Sequence, residues 1–344
     1  MKLLSITCLR NEGPFLLEWI AYHRLIGVTD FLIFSNDCDD GSDLLLSKLE
    51  SHGIVRHIDH KVQSGESVQW QAIKRVSKER LTDQYDWVMF TDIDEYPVIH
   101  VGEHRFADVL SAIPEESDAL VMPWRLFGAN GCNAFVDLPV TGQFMRSAPP
   151  NLYHPIAGRF FKTIFRPHKF RKCGIHRPKR RQEQKLPVWI DGAGNRLPDR
   201  FSERDNQIAL PEMNVGRQLI ELNHYSLRSV ESFLVKTSRG LANSRIKLID
   251  LNYWIERNFN TVENSAISVW DEALASEISH LKRLPGIEVL HEKACAWHQE
   301  KFSEIIRTHE GYRLYCDCLH AQNSAALPLN LAMKLYAAFS DLKE

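Results

Sequence analysis

The apolar run from Leu3 to Leu9 halts at Arg10-Asn11-Glu12 and predicts a buried strand. Asn11 offers a helix cap, and Pro14 falls in the first turn, where its missing N–H loses no hydrogen bond. Phe15, Leu16, Trp19, Ile20, His23 and Ile26 then recur at helical spacing, up to a C-terminal stop at Gly27. The alternation continues. Phe31 to Phe34 reads as a second strand and runs into the polar turn Ser35-Asn36-Asp37-Cys38-Asp39-Asp40-Gly41. A helix from Ser42 to Gly53, a strand from Ile54 to Ile58, a helix from Val68 to Leu81 and a strand from Trp87 to Phe90 follow. Such alternation predicts an α/β fold, with an open, mostly parallel sheet covered by helices on both faces. Further on, Leu120 to Phe127 and Arg159 to Phe165 read as strands. Ser229 to Arg239, Val269 to Leu284 and Asn330 to Leu342 read as helices. The text between Pro139 and Pro211 is irregular, and loops of that length inside a domain are usually functional. The pattern divides the chain into a unit over 1–240, with halves 1–100 and 101–240, and a helical C-terminal region over 241–344.

Ligands of open α/β sheets bind beyond the carboxyl ends of the strands. Those ends carry Arg10, Asn11 and Glu12, then Asn36 and Asp37, then Asp92-Ile93-Asp94. Asp92 and Asp94 face the same side if the chain stays extended, and two adjacent carboxylates call for a cation. Oxygen ligands favour Mg²⁺ or Mn²⁺. An isolated Asp-x-Asp is more often a solvated turn; a preceding fourth buried strand reverses that preference. His224, leading from Leu219-Ile220 into a helix, is either a third metal ligand or a hydrogen-bonded core histidine, and an imidazole suits Mn²⁺ better than Mg²⁺. Arg166 to Arg181 contains eight Lys/Arg and no acid. This is a solvated basic loop or a clamp for a diphosphate. Its single aromatic, Phe170, gives no stacking platform for nucleic acid.

Composition narrows the picture. The 344 residues are 44% hydrophobic and 25% charged, with 42 Lys+Arg against 44 Asp+Glu, which is ordinary for a globular protein and excludes a globally basic nucleic-acid binder. Seven cysteines without framework spacing suit a reducing compartment, so a cytoplasmic location is expected. No apolar run spans a membrane, and the first residues read as a strand rather than a leader. Leu331, Leu335, Tyr336 and Phe339 mark a helix that either packs on the body or contacts a membrane peripherally. No Gly-x-Gly-x-x-Gly, P-loop or Gly-x-Ser-x-Gly is present, which disfavours dehydrogenase, P-loop NTPase and hydrolase chemistry. Cys295, His298, Cys316, Cys318 and His320 match no standard zinc spacing. Oligomeric state is not readable.

Four motifs together carry a resemblance. They are Arg10-Asn11-Glu12-Gly13-Pro14-Phe15-Leu16-Leu17-Glu18-Trp19, Phe90-Thr91-Asp92-Ile93-Asp94-Glu95, Ile175-His176-Arg177-Pro178-Lys179 and Asn223-His224-Tyr225-Ser226-Leu227-Arg228-Ser229. The chain resembles bacterial glycosyltransferases of the family 2-like group, related to the family 92 type. The resemblance implies a GT-A fold, a nucleotide-sugar donor (UDP-sugar first), a divalent metal on Asp92 and Asp94, and inversion at the anomeric carbon. It implies a metal role for His224, nucleoside contacts from Arg10, Asn11, Glu12, Asn36 and Asp37, and donor contacts from Asp92, His176 and Lys179. A glycan or lipid-linked acceptor is expected. The acidic pair that opens an acceptor helix in family 2 is missing; Asp191 stands in as base, with Glu212 behind it. Two other classes remain open: a sugar-phosphate nucleotidyltransferase, and a non-catalytic carbohydrate- or nucleotide-binding protein.

Overall fold

A computed structural model describes residues 1–61, 66–182, 185–210, 216–239 and 249–341, without the side chains of 339–341. The apolar runs form strands β1 (Leu3–Leu9), β2 (Asp30–Ser35), β3 (Arg56–Asp59), β4 (Trp87–Phe90), β5 (Glu95–Ile99), β6 (Ala119–Leu126), β7 (Arg146–Ser147), β8 (Phe161–Phe165), β9 (Trp189–Ile190), β10 (Ile220–His224) and β11 (Val262–Glu263). The helices are α1 (Gly13–Leu25), α2 (Ser42–Ser51), α3 (Val68–Lys78), α4 (Phe106–Ala112), α5 (Val140–Gln143), α6 (Asp199–Glu203), α7 (Val230–Arg239), α8 (Leu251–Ile255), α9 (Asp271–Lys282), α10 (Ile287–Ile305), α11 (His309–His320) and α12 (Leu329–Asp341).

Nine strands form one mixed sheet in the order β3-β2-β1-β4-β8-β6-β10-β5, with β9 beside β6; β7 and β11 form a separate ribbon. β1 to β4 are mutually parallel, β8 runs against both β4 and β6, and β5 runs against β10. This is a GT-A-like α/β architecture. Alternate residues of β1 and β4 enter opposite cores. Leu3, Trp87 and Met89 pack under α1 and α2, while Leu4, Ile6, Val88 and Phe90 pack under α3. Both faces are covered, so the strands read as unbroken apolar runs. β5 escaped the sequence reading because Pro97 interrupts it. Proline is tolerated there because β5 is the edge strand.

The C-terminal region is helical, and it packs on the body. Leu274 and Leu281 of α9 and Ile287 of α10 join the core built around α1. Trp254 of α8 and Cys318 of α11 pack with Phe233 of α7. In α12 Leu331 and Leu335 are exposed, while Tyr336 lies under the Arg159 guanidinium; the Phe339 side chain falls outside the described residues. Among the described residues no helix is long and apolar enough to cross a membrane.

The close approach of α10 to the first turn of α1 requires Gly13, since a Cβ there would stand 2.5 Å from the Ala294 Cβ. Gly13→Ala is expected to cost about 1–3 kcal/mol by overpacking. Ala294→Gly in the same chain should recover most of the loss. Denaturant unfolding of the two variants checks this, and additive losses would contradict the contact.

Candidate active site

The chain turns sharply after β4 instead of staying extended. Asp92 N–H donates to Glu95 Oε2 (2.8 Å), and Glu95 N–H donates back to the Asp92 carbonyl (3.1 Å). The Trp19 indole N–H of α1 donates to the carbonyls of both residues. The turn parts the two aspartates. Asp92 Oδ1 accepts from Gln69 of α3 (2.9 Å), and Oδ2 accepts from the Lys162 ammonium of β8 (2.9 Å). Lys162 is wholly buried and also pairs with the buried Glu95 (3.3 Å). Burial opposes the Lys162 charge, but Asp92 and then Glu95 outweigh it and raise its pKa. Burial drives Glu95 the other way, well above the usual carboxylate range.

Asp94 faces a different set of partners. Its Oδ2 accepts from Lys236 of α7 (2.7 Å), and its Oδ1 lies 3.6 Å from His224 Nε2. Strand register explains the second contact, since β10 pairs His224 with Glu95, the residue next to Asp94. Burial opposes the Asp94 charge, yet Lys236 and His224 hold its pKa well below the ordinary value. Burial outweighs Asp94 at His224 and lowers the imidazole pKa, so a neutral ring faces the carboxylate. Glu12, at the end of β1, is clamped by Arg228 (2.7 Å) and Arg239. Burial opposes that charge too, and the two guanidiniums keep it ionised.

The other predicted residues divide. Arg10 and Asn11, after β1, meet the loop of Asn36 and Asp37, after β2: Arg10 Nε donates to the Asp37 carbonyl (2.9 Å), Asp39 N–H donates to Asn11 Oδ1 (2.8 Å), and Asn36 Nδ2 lies 3.4 Å from Asp37 Oδ2. Asn11, Asp37 and Arg228 all have left-handed backbone, with φ of 54°, 45° and 59°. His176 lies beside the Trp124 ring that packs at a tilt against His224, and its Nδ1–H donates to the Phe161 carbonyl (2.9 Å). Burial, then Lys162, pulls its pKa down to about 4. Lys179 is spent on the Asp205 carbonyl. Asp191 is held by its own turn, accepting from the N–H groups of Ala193 and Asn195. It follows the Leu120–Ile190 pair, whereas His224 pairs with Leu126, a separation of about 16 Å along the strands at ~3.3 Å per residue. Among the described residues no hydrogen bond or ion pair joins Asp191 to the Asp92 cluster. Glu212 lies outside the described residues. Within the basic stretch, Arg177 is buried between Trp189 and Phe201 and Lys169 pairs with Asp118, so part of that run is structural. Sequence reasoning missed Gln69, Glu95, Lys162, Lys236 and Arg239. A polar Gln69 on the buried face of α3 and a lysine inside the apolar run Phe160 to Phe165 were the available signals.

The sequence model for glycosyltransferase family 92 matches residues 6–192. The chain belongs to glycosyltransferase family 92. A family 92 protein of Oryza sativa subsp. japonica is 35% identical over 242 residues, 69% of this chain and 35% of that protein. One of Ricinus communis is 34% identical over 239 residues, 69% of this chain and 37% of that protein. The chain thus spans about a third of the length of these family 92 relatives. They are plant proteins, so the bacterial, family 2-like part of the expectation gives way to family 92 itself. A solved 4-diphosphocytidyl-2C-methyl-D-erythritol synthase covers 48% of the chain and 75% of its own at 10% identity, with a TM-score of 0.26 that bears on neither fold nor activity.

Two expectations concern this family 92 site. Lys162→Met strands Asp92 and Glu95 without their buried cation and should cost about 3–5 kcal/mol, read by denaturant unfolding; a loss under about 1 kcal/mol would refute the role. Glu12 has a lowered folded pKa, so its stabilisation is present above the unfolded value of about 4.3 and is lost as pH falls through the folded one. Glu12→Gln should therefore flatten the acid limb of the stability profile below about pH 4. An unchanged limb in that variant would contradict the clamp.

Proposed function

We propose that this family 92 chain transfers a sugar from a nucleotide-sugar donor, UDP-sugar first, to a glycan or lipid-linked acceptor, with inversion and with a divalent metal. The observation that carries the reading is the Asp94–His224 pair. A carboxylate oxygen and a neutral imidazole nitrogen stand 3.6 Å apart at the carboxyl ends of the strands, where α/β sheets take their ligands. Such a pair fits two ligands of one ion, and the nitrogen favours Mn²⁺ over Mg²⁺. When bound, the ion would neutralise charge developing on the departing diphosphate.

The chain's own residues would do the rest. Lys236 keeps Asp94 ionised and turned toward His224. Gln69 and Lys162 fix both oxygens of Asp92, leaving its partly exposed carboxylate for a sugar or ribose hydroxyl. Asn11, Asn36 and Asp37, at the ends of β1 and β2, suit the nucleoside. The acceptor hydroxyl would displace the nucleoside diphosphate from the opposite face of the anomeric carbon, the bond to the phosphate oxygen breaking and the hydroxyl proton passing to solvent, which gives inversion.

Titration calorimetry of UDP and GDP, with Mn²⁺ and then with chelator, tests this reading. One nucleotide should bind only with metal, and Asp94→Asn should weaken that binding by at least about tenfold. Equal binding with and without metal, or an unaffected variant, would overturn it.

A further inference from the structure

Away from the strand ends, three metal-ligating side chains of different kinds converge. Among the described residues, Asp137, His291 and Cys295 are the one group of three or more such residues whose ligand atoms all lie within 4.8 Å of one another. His291 Nε2 is 3.0 Å from Asp137 Oδ1 and 3.7 Å from Cys295 Sγ. His291 and Cys295 are four residues apart on α10, so they share a helix face. Asp137 comes from the segment between β6 and α5. The imidazole is buried and the carboxylate is half open to solvent, giving the cluster one wet side.

The arrangement does not suit a Cys–His–Asp proton relay. A relay uses both ring nitrogens, one toward the thiol and one toward the carboxylate. Here both partners address Nε2, and Nδ1 is buried without a hydrogen-bond partner. A sulfur, a nitrogen and an oxygen within 4.8 Å of one another are close enough to share one ion. We propose that Asp137, His291 and Cys295 bind a borderline transition-metal ion of the Zn²⁺ type, with solvent at the fourth position.

Thiolate, imidazole and carboxylate are all ordinary zinc ligands, whereas Mg²⁺ and Ca²⁺ prefer oxygen throughout. Lys282 holds Asp137 Oδ2 at 3.3 Å and leaves Oδ1 to the ion. Binding forms a metal–sulfur bond and releases the Cys295 proton to solvent. The ion would fasten α10 to the segment that anchors α7. Cys132 and Asn133 accept the N–H groups of Val230 and Glu231, and the Phe135 N–H donates to the Glu231 carboxylate. α7 carries Lys236 and Arg239, which reach Asp94 and Glu12. The site therefore braces one wall of the candidate active site without entering it.

Cobalt(II) is the probe. Addition to the metal-free full chain should produce a thiolate-to-cobalt charge-transfer band in the near ultraviolet, saturating at one ion per chain and bleached by Zn²⁺. Cys295→Ser should abolish the band. His291→Ala should weaken cobalt binding by at least about 10-fold. Asp94→Asn should leave the band intact, because the donor-site reading involves no thiolate; failure of either proposal is thus distinguishable from failure of the other. The wild-type spectrum decides even where a variant fails to fold. Absence of the band at saturating cobalt, or its survival in Cys295→Ser, would overturn the proposal.

Discussion

The candidate site depends on compensating four carboxylates gathered at the ends of adjoining strands. Glu12, Asp92, Asp94 and Glu95 are brought together by the pairing of β1 with β4 and of β5 with β10. Like charges at that density repel strongly where water is excluded. Four cations answer them: Lys162 from β8, and Arg228, Lys236 and Arg239 from the turn before α7 and from α7 itself. The partners are distant in sequence, 70 residues for Asp92–Lys162, 142 for Asp94–Lys236 and 216 for Glu12–Arg228. The ends of β1 and β4 therefore complete their charge balance only when the later part of the chain has folded over them. Removing one partner leaves a buried charge with nothing to offset it, which costs more than an intact pair contributes.

Among the described residues, three of the six non-glycine residues with left-handed φ lie at the same place. Asn11, Asp37 and Arg228 all adopt left-handed φ. Asparagine and aspartate tolerate that region through local hydrogen bonds, but a residue such as arginine gives up roughly 1–2 kcal/mol there. Arg228 is held nonetheless, by Glu12 and by the face of the Phe15 ring 3.5 Å from its guanidinium carbon. Strain of this kind persists only where the surroundings over-determine it. Glu12 lies in the first strand-to-helix connection and Phe15 in the first turn of α1, so the motif Arg10 to Trp19 serves the later motif Asn223 to Ser229 directly. Trp19 serves the turn at Asp92 in the same way.

These couplings explain what could be read from the sequence. β1 to β4 and the helices between them were legible because each buries a local pattern, two faces for a strand and one stripe for a helix. The strand-end carboxylates were legible because the sheet architecture dictates where strand ends meet. The motifs group His224 with Asp94, but the geometric reason, the register of β10 on β5, was not legible, because Pro97 hides β5. Lys162 sits in an apolar run and offers no periodic signal of its partner. The expectation that Asp92 and Asp94 face one way assumed an extended chain; the turn closed by Glu95 and Trp19 sends one toward β8 and the other toward α7. Asp191 lies between Trp189-Ile190 and Gly192, and a short polar residue at that point is what a tight turn needs.

The charge count then constrains what can enter the site. Glu12, Asp92, Asp94 and Glu95 face Lys162, Arg228, Lys236 and Arg239, and every one of these cations is already directed at a carboxylate. On the proposed reading, a diphosphate would add negative charge that these engaged cations do not match. Pulling Lys236 onto it would leave Asp94 without its strongest partner, so the ammonium cannot serve both at full strength. The economical arrangement adds positive charge where Asp94 still has an oxygen and His224 a neutral nitrogen to offer. On the proposed reading, a divalent ion here would supply positive charge while the cations stay with their carboxylates.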